Sequence, residues 1–349
     1  MSPTSSQQPL PRKVIGGVAR RALGKLGYGV VRLDPPPPDH DTYDTTHHDH
    51  RGFLPDGAAG YLQRDNPRLR ELHERYDALD WPVSVRSRWG EVLSVAWLNL
   101  AYFRGDNPYI WHYRESERIT ELKYFVLLGY EAALDEHHLI ERLGEDGAFG
   151  AFTFEYPDRP VVGRDLLDSV NELLFLEKEL GILSSDGLRV LDIGAGYGRM
   201  AYRVSQAVPG LARYTCLDAI PESTFLCEYY TRFRELDRVD VVELPNVPDL
   251  PAGGYDLAFN IHSFSECPLV AIEWWMQQLE RLDVPTFFLV PNEPEGFLST
   301  EPDKTRLDYL GVIERHGYRL TVDRPMYEDR AVRELLEVPD RFCLFTRAR

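Results

Sequence analysis

The run Val190-Leu-Asp-Ile-Gly-Ala-Gly-Tyr-Gly-Arg199 constrains this chain more than any other stretch. A β-prone segment, Arg189 to Ile193, carries Asp192 near its end. Gly194, Gly196 and Gly198 follow at alternate positions, and a helical pattern then runs from Arg199 to Val208. Strand, tight glycine loop and helix together open a parallel α/β sheet. Glycine is needed in such a loop because a side chain would keep a ligand off the backbone, and because some positions require positive φ.

The pattern beyond the loop extends this sheet. After Gly181, short apolar runs alternate with helical stretches, which places a domain border near Ser184 to Gly187. Further strands are predicted at Ala212–Leu217, Val239–Leu244, Asp256–Ile261, Thr286–Val290, Tyr318–Val322 and Arg341–Thr346. Helices are predicted at Pro221–Leu236, Val270–Leu282, Lys304–Arg315 and Arg330–Leu336. The expected fold class is therefore α/β, a seven-stranded Rossmann-like sheet over residues 185–349, preceded by a mainly helical domain over 66–184.

In that preceding domain Leu69, Leu72, Tyr76 and Leu79 repeat at helical spacing, and Ile119, Leu122, Phe125 and Leu127 suggest a second apolar stripe. The aromatic residues Trp97, Tyr102, Phe103, Tyr109, Trp111 and Tyr113 suit either a core or stacking against a sugar or polyketide. A helix from Arg164 to Leu180 sets Leu166, Val170 and Leu173 beside the polar Arg164, Asp168, Asn171 and Glu172. Residues 1–65 read as a tail, a basic amphipathic segment over 12–33 that suits packing on the protein itself or peripheral contact with an anionic membrane, and a linker rich in proline and histidine. His40, His47, His48 and His50 stand among aspartates in that linker, but a loop without rigid support reads as solvated, so no metal site is assigned.

Composition excludes some classes. A formal net charge of -17 over 349 residues opposes general nucleic-acid binding, which draws on clustered Lys and Arg. No apolar run is long enough to span a bilayer and no secretory signal is evident, so the cytoplasm is the default compartment. Cys216, Cys227, Cys267 and Cys343 lack Cys-x-x-Cys spacing and read as reduced thiols.

Asp192, at the end of the first strand, suits the ammonium group of S-adenosylmethionine. Asp218 ends the second strand about twenty residues beyond the loop, where a carboxylate accepts hydrogen bonds from ribose hydroxyls. A dinucleotide fold shares that second carboxylate, but its third glycine would fall at Arg199; a register shifted to Gly196, Gly198 and Ala201 meets a looser variant. Ala219 and Ile220 are placed to pack on the adenine ring, and Asn246 and Asp249 to meet its amino group; Asn260 joins the cofactor-binding set. The loop after the fourth strand reads Asn260-Ile-His-Ser-Phe-Ser-Glu266. His262 is the candidate general base, because imidazole titrates near neutrality and takes a hydroxyl proton. Glu266 is expected to orient it or bind substrate, with Asn292 and Glu293 as further substrate contacts. A metal-assisted variant is compatible with so acidic a chain.

Three segments, Arg164 to Glu177, Val190 to Arg199 and Asn260 to Glu266, resemble a bacterial sugar O-methyltransferase family found in natural-product glycosylation and surface-polysaccharide clusters. The resemblance covers roughly Arg164 to Arg349. It implies S-adenosylmethionine as cofactor, a sugar or glycoside hydroxyl as acceptor, and a place lining the active site for Asp168, Asn171 and Glu172. Methylation of a non-sugar small molecule, an inactive methyltransferase-like binding protein, and a nicotinamide-dependent oxidoreductase stay open as alternatives. A homo-oligomer is compatible with the sequence.

Overall fold

All seven strands form. The computed structural model describes residues 51–91, 98–110, 112–113 and 115–347; segment 12–33, the proline run, the histidines between 40 and 50, Trp97 and Trp111 lie outside the described residues. The strands are β1 (Leu188–Ile193), β2 (Leu211–Leu217), β3 (Val239–Val242), β4 (Leu257–Ile261), β5 (Thr286–Val290), β6 (Tyr318–Pro325) and β7 (Arg341–Arg347). The helices are α1 (Ala58–Tyr61), α2 (Pro67–Asp77), α3 (Arg88–Glu91), α4 (Glu117–Leu134), α5 (Leu139–Leu143), α6 (Arg164–Leu180), α7 (Arg199–Ala207), α8 (Pro221–Phe233), α9 (Leu269–Arg281), α10 (Leu310–Arg315) and α11 (Arg330–Leu336).

The strand order is β3-β2-β1-β4-β5-β7-β6, with β1 to β5 parallel and β7 antiparallel to both its neighbours. This is a seven-stranded Rossmann-like sheet, and it departs from the 3-2-1-4-5-6 order of dinucleotide folds by the antiparallel strand inserted before β6. The order reverses between β1 and β4, which opens a crevice at their carboxyl ends. Register aligns that edge: Asp192 lies opposite Cys216 of β2 and Phe259 of β4, and Ile193 lies opposite Leu217. The residues that follow these strands, Asp218 and His262 among them, therefore emerge together. Because β7 runs the other way, its first residues reach the same edge.

The central strand β1 is buried on both faces, as expected for parallel sheets covered by helices. Leu191 and Ile193 enter one hydrophobic cluster with Leu69, Leu72, Phe103 and Phe149. Val190 enters a second cluster with Tyr124, Leu127, Leu166 and Val170. Each cluster thus draws on residues before and after Ser184, and α6 packs on the sheet through Phe175, whose ring centroid is 5.5 Å from that of Phe288 on β5.

Local rules explain most element ends. Asn66 caps α2 by accepting from the Arg68 amide, and Pro67 supplies the favoured first residue. Leu69, Leu72 and Tyr76 are buried as their spacing predicts. The stripe expected on α4 holds only at Leu127: Ile119, Leu122 and Phe125 are exposed, and the buried face is Thr120, Lys123, Tyr124, Leu127, Leu128 and Glu131. The helix expected over Lys304–Arg315 begins only at Leu310, because Lys304 has φ 68° and Leu298 bridges Asp308 in a short hairpin. On α6 the polar residues do not form an open face. Their charges are paired, buried Arg164 with half-buried Asp168 at 3.0 Å and buried Glu172 with half-buried Arg199 at 2.7 Å.

Candidate active site

A cleft runs along the carboxyl edge of β1, β2 and β4. Asp192, Gly194, Gly196, Asp218, Ala219, Ile220, His262, Glu266 and Asn292 all line it.

One half is made by β1, β2 and the glycine loop. Asp192 is 4% exposed and accepts from the Tyr214 hydroxyl at 2.7 Å; Asp218 is 9% exposed and accepts from the backbone amides of Gly196 at 3.0 Å and Ile220 at 2.8 Å. Burial pushes Asp192 up to about 7 against the Tyr214 hydroxyl and Arg199, and pushes Asp218 up to about 7 against its backbone donors. Two carboxylates poised near neutrality in a cleft suit a ligand that brings a cation to one and hydroxyl donors to the other.

The glycines meet the expected need for positive φ and have a further reason besides. Their φ values are 75°, 58° and 90°, so all three need the left-handed region. The directions their side chains would take are filled by protein. A Cβ on Gly194 would stand 2.4 Å from Cβ of Ser263, one on Gly198 would stand 3.0 Å from Sγ of Cys227, and one on Gly196 would touch the Tyr109 ring at 3.4 Å. The loop is shaped first by its own packing.

The other half is made by the turn after β4. His262 takes φ 64°, a conformation uncommon outside glycine, and its amide donates to the Val290 carbonyl at 2.8 Å. Nε2 lies 3.0 Å from Oδ2 of Asp340, and the imidazole is one-third exposed. A carboxylate only accepts, so Nε2 donates and Nδ1 keeps the lone pair. Burial would lower the histidine, but the Asp340 carboxylate outweighs it, with Glu266 and Glu172 adding, and the net direction is up. The sequence offers Glu266 either as the orienter of His262 or as a substrate contact. The structure gives the orienting contact to Asp340, while Glu266 Oε2 accepts from the Trp89 indole at 2.7 Å and burial raises its carboxyl.

Several candidates stand outside the cleft lining. Asn246 and Asp249 are exposed on the turn after β3, where Asn246 accepts from Arg75 at 3.4 Å. Asn260 is fully buried and ties the end of β1 to the loop, donating to the Ile193 carbonyl and accepting from the Phe264 amide, each at 2.9 Å. Gly198 faces α8 through Cys227. Asp168 is held by Arg164, Asn171 donates to the Met326 carbonyl at 3.1 Å, and Glu172 holds Arg199 with both oxygens. Glu293 is paired with Arg306. Asn246, Asn260, Asp168, Asn171, Glu172 and Glu293 are thus each engaged by a protein partner.

Arg199, Trp89 and Tyr197 line the cleft without a role read from the sequence, Tyr109 joins them from the aromatic segment, and Asp340 supports the site through His262. Asp340 had one readable signal: it precedes the antiparallel strand, whose start must lie at the ligand edge. Asp165 is the hidden organiser of the loop. It accepts from the Tyr197 hydroxyl at 2.6 Å, from Arg104 at 3.1 Å and from Arg203 at 2.7 Å, and the two arginines hold it well below the usual carboxylate range. Among the described residues no group of three His, Cys, Asp or Glu could hold a metal ion, and no helix is long and apolar enough to cross a membrane.

No protein-family model and no curated protein sequence matches the chain. Among solved structures it is similar to a SAM dependent methyltransferase from Aquifex aeolicus, at 19% identity over 50% of this chain and 88% of that one, with a TM-score of 0.38. It is also similar to the mitomycin 7-O-methyltransferase MmcR, at 18% identity over 52% and 57% with a TM-score of 0.35. A third similarity is to the CurJ carbon methyltransferase, at 16% identity over 53% and 55% with a TM-score of 0.40. All three scores lie below 0.5, so the functional reading rests on this chain's own cleft.

Proposed function

We propose that the chain is an S-adenosylmethionine-dependent O-methyltransferase acting on a sugar hydroxyl, of a nucleotide sugar or of a glycosylated natural product or polysaccharide. The observation that carries this reading is the joining, in one cleft, of the buried pair Asp192 and Asp218 with the His262–Asp340 dyad. Asp192 meets the ammonium group and Asp218 the ribose hydroxyls, with Ala219 and Ile220 beside the adenine. The residues present fit the cofactor, since the two carboxylates match its cationic and hydroxyl ends and the cleft edge between them is backbone. When bound, the cofactor supplies an electrophilic methyl group on a sulfonium.

His262 Nδ1 takes the acceptor hydroxyl's proton as the oxygen attacks, and Asp340 steadies the imidazolium that forms. Asn292 and Glu266, on the same wall, orient the acceptor. Most of the acceleration comes from holding the hydroxyl in line with the methyl group, with the base contributing about a hundredfold. The helical region over 66–184 is assigned to acceptor binding and closure of the cleft.

Incubating the protein with methyl-labelled S-adenosylmethionine and pools of glycosides and nucleotide sugars tests this. Label in a glycoside, stable to mild base as an ether is, supports it. Label only in non-sugar molecules removes the sugar, and binding without turnover leaves a methyltransferase-like binding protein.

A further inference from the structure

We propose that Tyr109 is a cofactor-binding residue: its ring forms a roof over the glycine loop, so that the region ahead of the sheet completes the nucleoside site. The proposal rests on the S-adenosylmethionine reading above. Tyr109 lies 109 positions along the chain, far ahead of β1, yet it lines the cleft beside Gly196 and Asp218. Its ring carbons are 3.4 and 3.6 Å from where a Gly196 Cβ would stand, and its hydroxyl is 2.8 Å from that of Ser223 near the start of α8. The ring therefore spans the two elements that flank Asp218.

Two features hold it there. The Asn107 side chain accepts from the Tyr109 amide at 2.8 Å and donates to the carbonyls of Phe103 and Gly105 at 2.9 and 2.8 Å, which makes a tight turn that presents the ring. Arg104, a few residues earlier, is fully buried and binds Asp165, the carboxylate that also receives the Tyr197 hydroxyl from the glycine loop. The segment and the loop are thus clamped through one shared anion. On its outer side the ring packs on Trp89, with centroids 5.2 Å apart, and Trp89 holds Glu266 on the acceptor side. Burial, and next the Asp218 charge, push the Tyr109 phenol well above its usual range, so it stays neutral and serves as an apolar face with one hydroxyl. A flat apolar ring beside a carboxylate suits a ribose, whose hydroxyls turn to the acid while its carbon face is covered.

Calorimetric titration of the full chain with S-adenosylmethionine and with adenosine tests the role. Tyr109→Ala is expected to weaken both ligands by about tenfold or more, and Tyr109→Phe, which keeps the ring, by less than about threefold. Loss for both ligands is the mark of a contact to the nucleoside. Wild-type protein that binds neither overturns the cofactor reading and this proposal with it. Wild-type binding with Tyr109→Ala unchanged, or tighter, overturns the roof alone. If Tyr109→Ala does not fold, hydrogen exchange of the wild-type chain decides: amides of residues 104–110 are expected to slow on addition of S-adenosylmethionine, and unchanged exchange under saturating cofactor overturns the proposal.

Discussion

The two halves of the cleft are built by different means. The half beneath Asp192 and Asp218 comes from residues 188–220, two adjacent parallel strands and the turns that follow them. The half around His262 is assembled from Trp89 ahead of the sheet, the turn after β4, Asn292 after β5 and Asp340 before β7. Its key contact spans 78 positions of sequence. The carboxylates of the first half come from one local stretch, Asp218 held by backbone amides and Asp192 by the Tyr214 hydroxyl; the second is a convergence of distant segments around a partly exposed imidazole. Affinity for a shared cofactor belongs to the first half, and the identity of the acceptor to the second.

Substitutions separate the halves. Asp218→Ala removes both hydroxyl contacts and is expected to weaken S-adenosylmethionine binding on the order of a thousandfold by calorimetry, as two hydrogen bonds to a charged group are lost. His262→Ala should lower turnover by about a hundredfold while cofactor affinity changes by less than about twofold; equal losses in both would mean that the halves are one unit.

Asp340→Asn sharpens the second half. It is expected to lower kcat about tenfold through loss of imidazolium support. Because the Asp340 carboxylate is what raises His262, the acid limb of kcat/KM should move to lower pH in the variant. A limb that stays in place assigns the ionisation to another group.

The first half makes a smaller, opposite prediction for the unliganded protein. Asp192 has a folded-state pKa of about 7, above an unfolded value of about 3.9, so its stabilising contribution is full below pH 4 and is lost as the pH rises through 7. Asp192→Asn should therefore stabilise the cofactor-free chain by about 1–2 kcal/mol at pH 8, a few degrees in Tm, and the advantage should fade toward pH 4. A gain that does not change with pH would show that Asp192 is not the titrating group.

This contrast also explains what was legible in the sequence. Strand, glycine loop, helix and the acid ending the next strand are local signals, and the sheet, Asp192 and Asp218 were read from them. Trp89 carries no local mark, and Asp340 only its place before the last strand, since folding is what brings both to the cleft. The polar residues of α6 carry no spacing signal for a site: only the resemblance places Asp168, Asn171 and Glu172 there, and each meets a protein partner. Tyr109 stood among six aromatics in one segment, and nothing in their spacing separated it from the core residue Phe103. The stripe on α4 failed because Ile119, Leu122 and Phe125 repeat only every three residues, and such a row drifts around a helix of 3.6 residues per turn.

Titration of the full chain with S-adenosylmethionine in the calorimeter tests the central claim most directly. The account predicts one-to-one binding that tightens from pH 6 to pH 8, by about tenfold for each of Asp192 and Asp218 that ionises against the ligand, with proton release. No heat of binding at millimolar cofactor, at either pH, would contradict it.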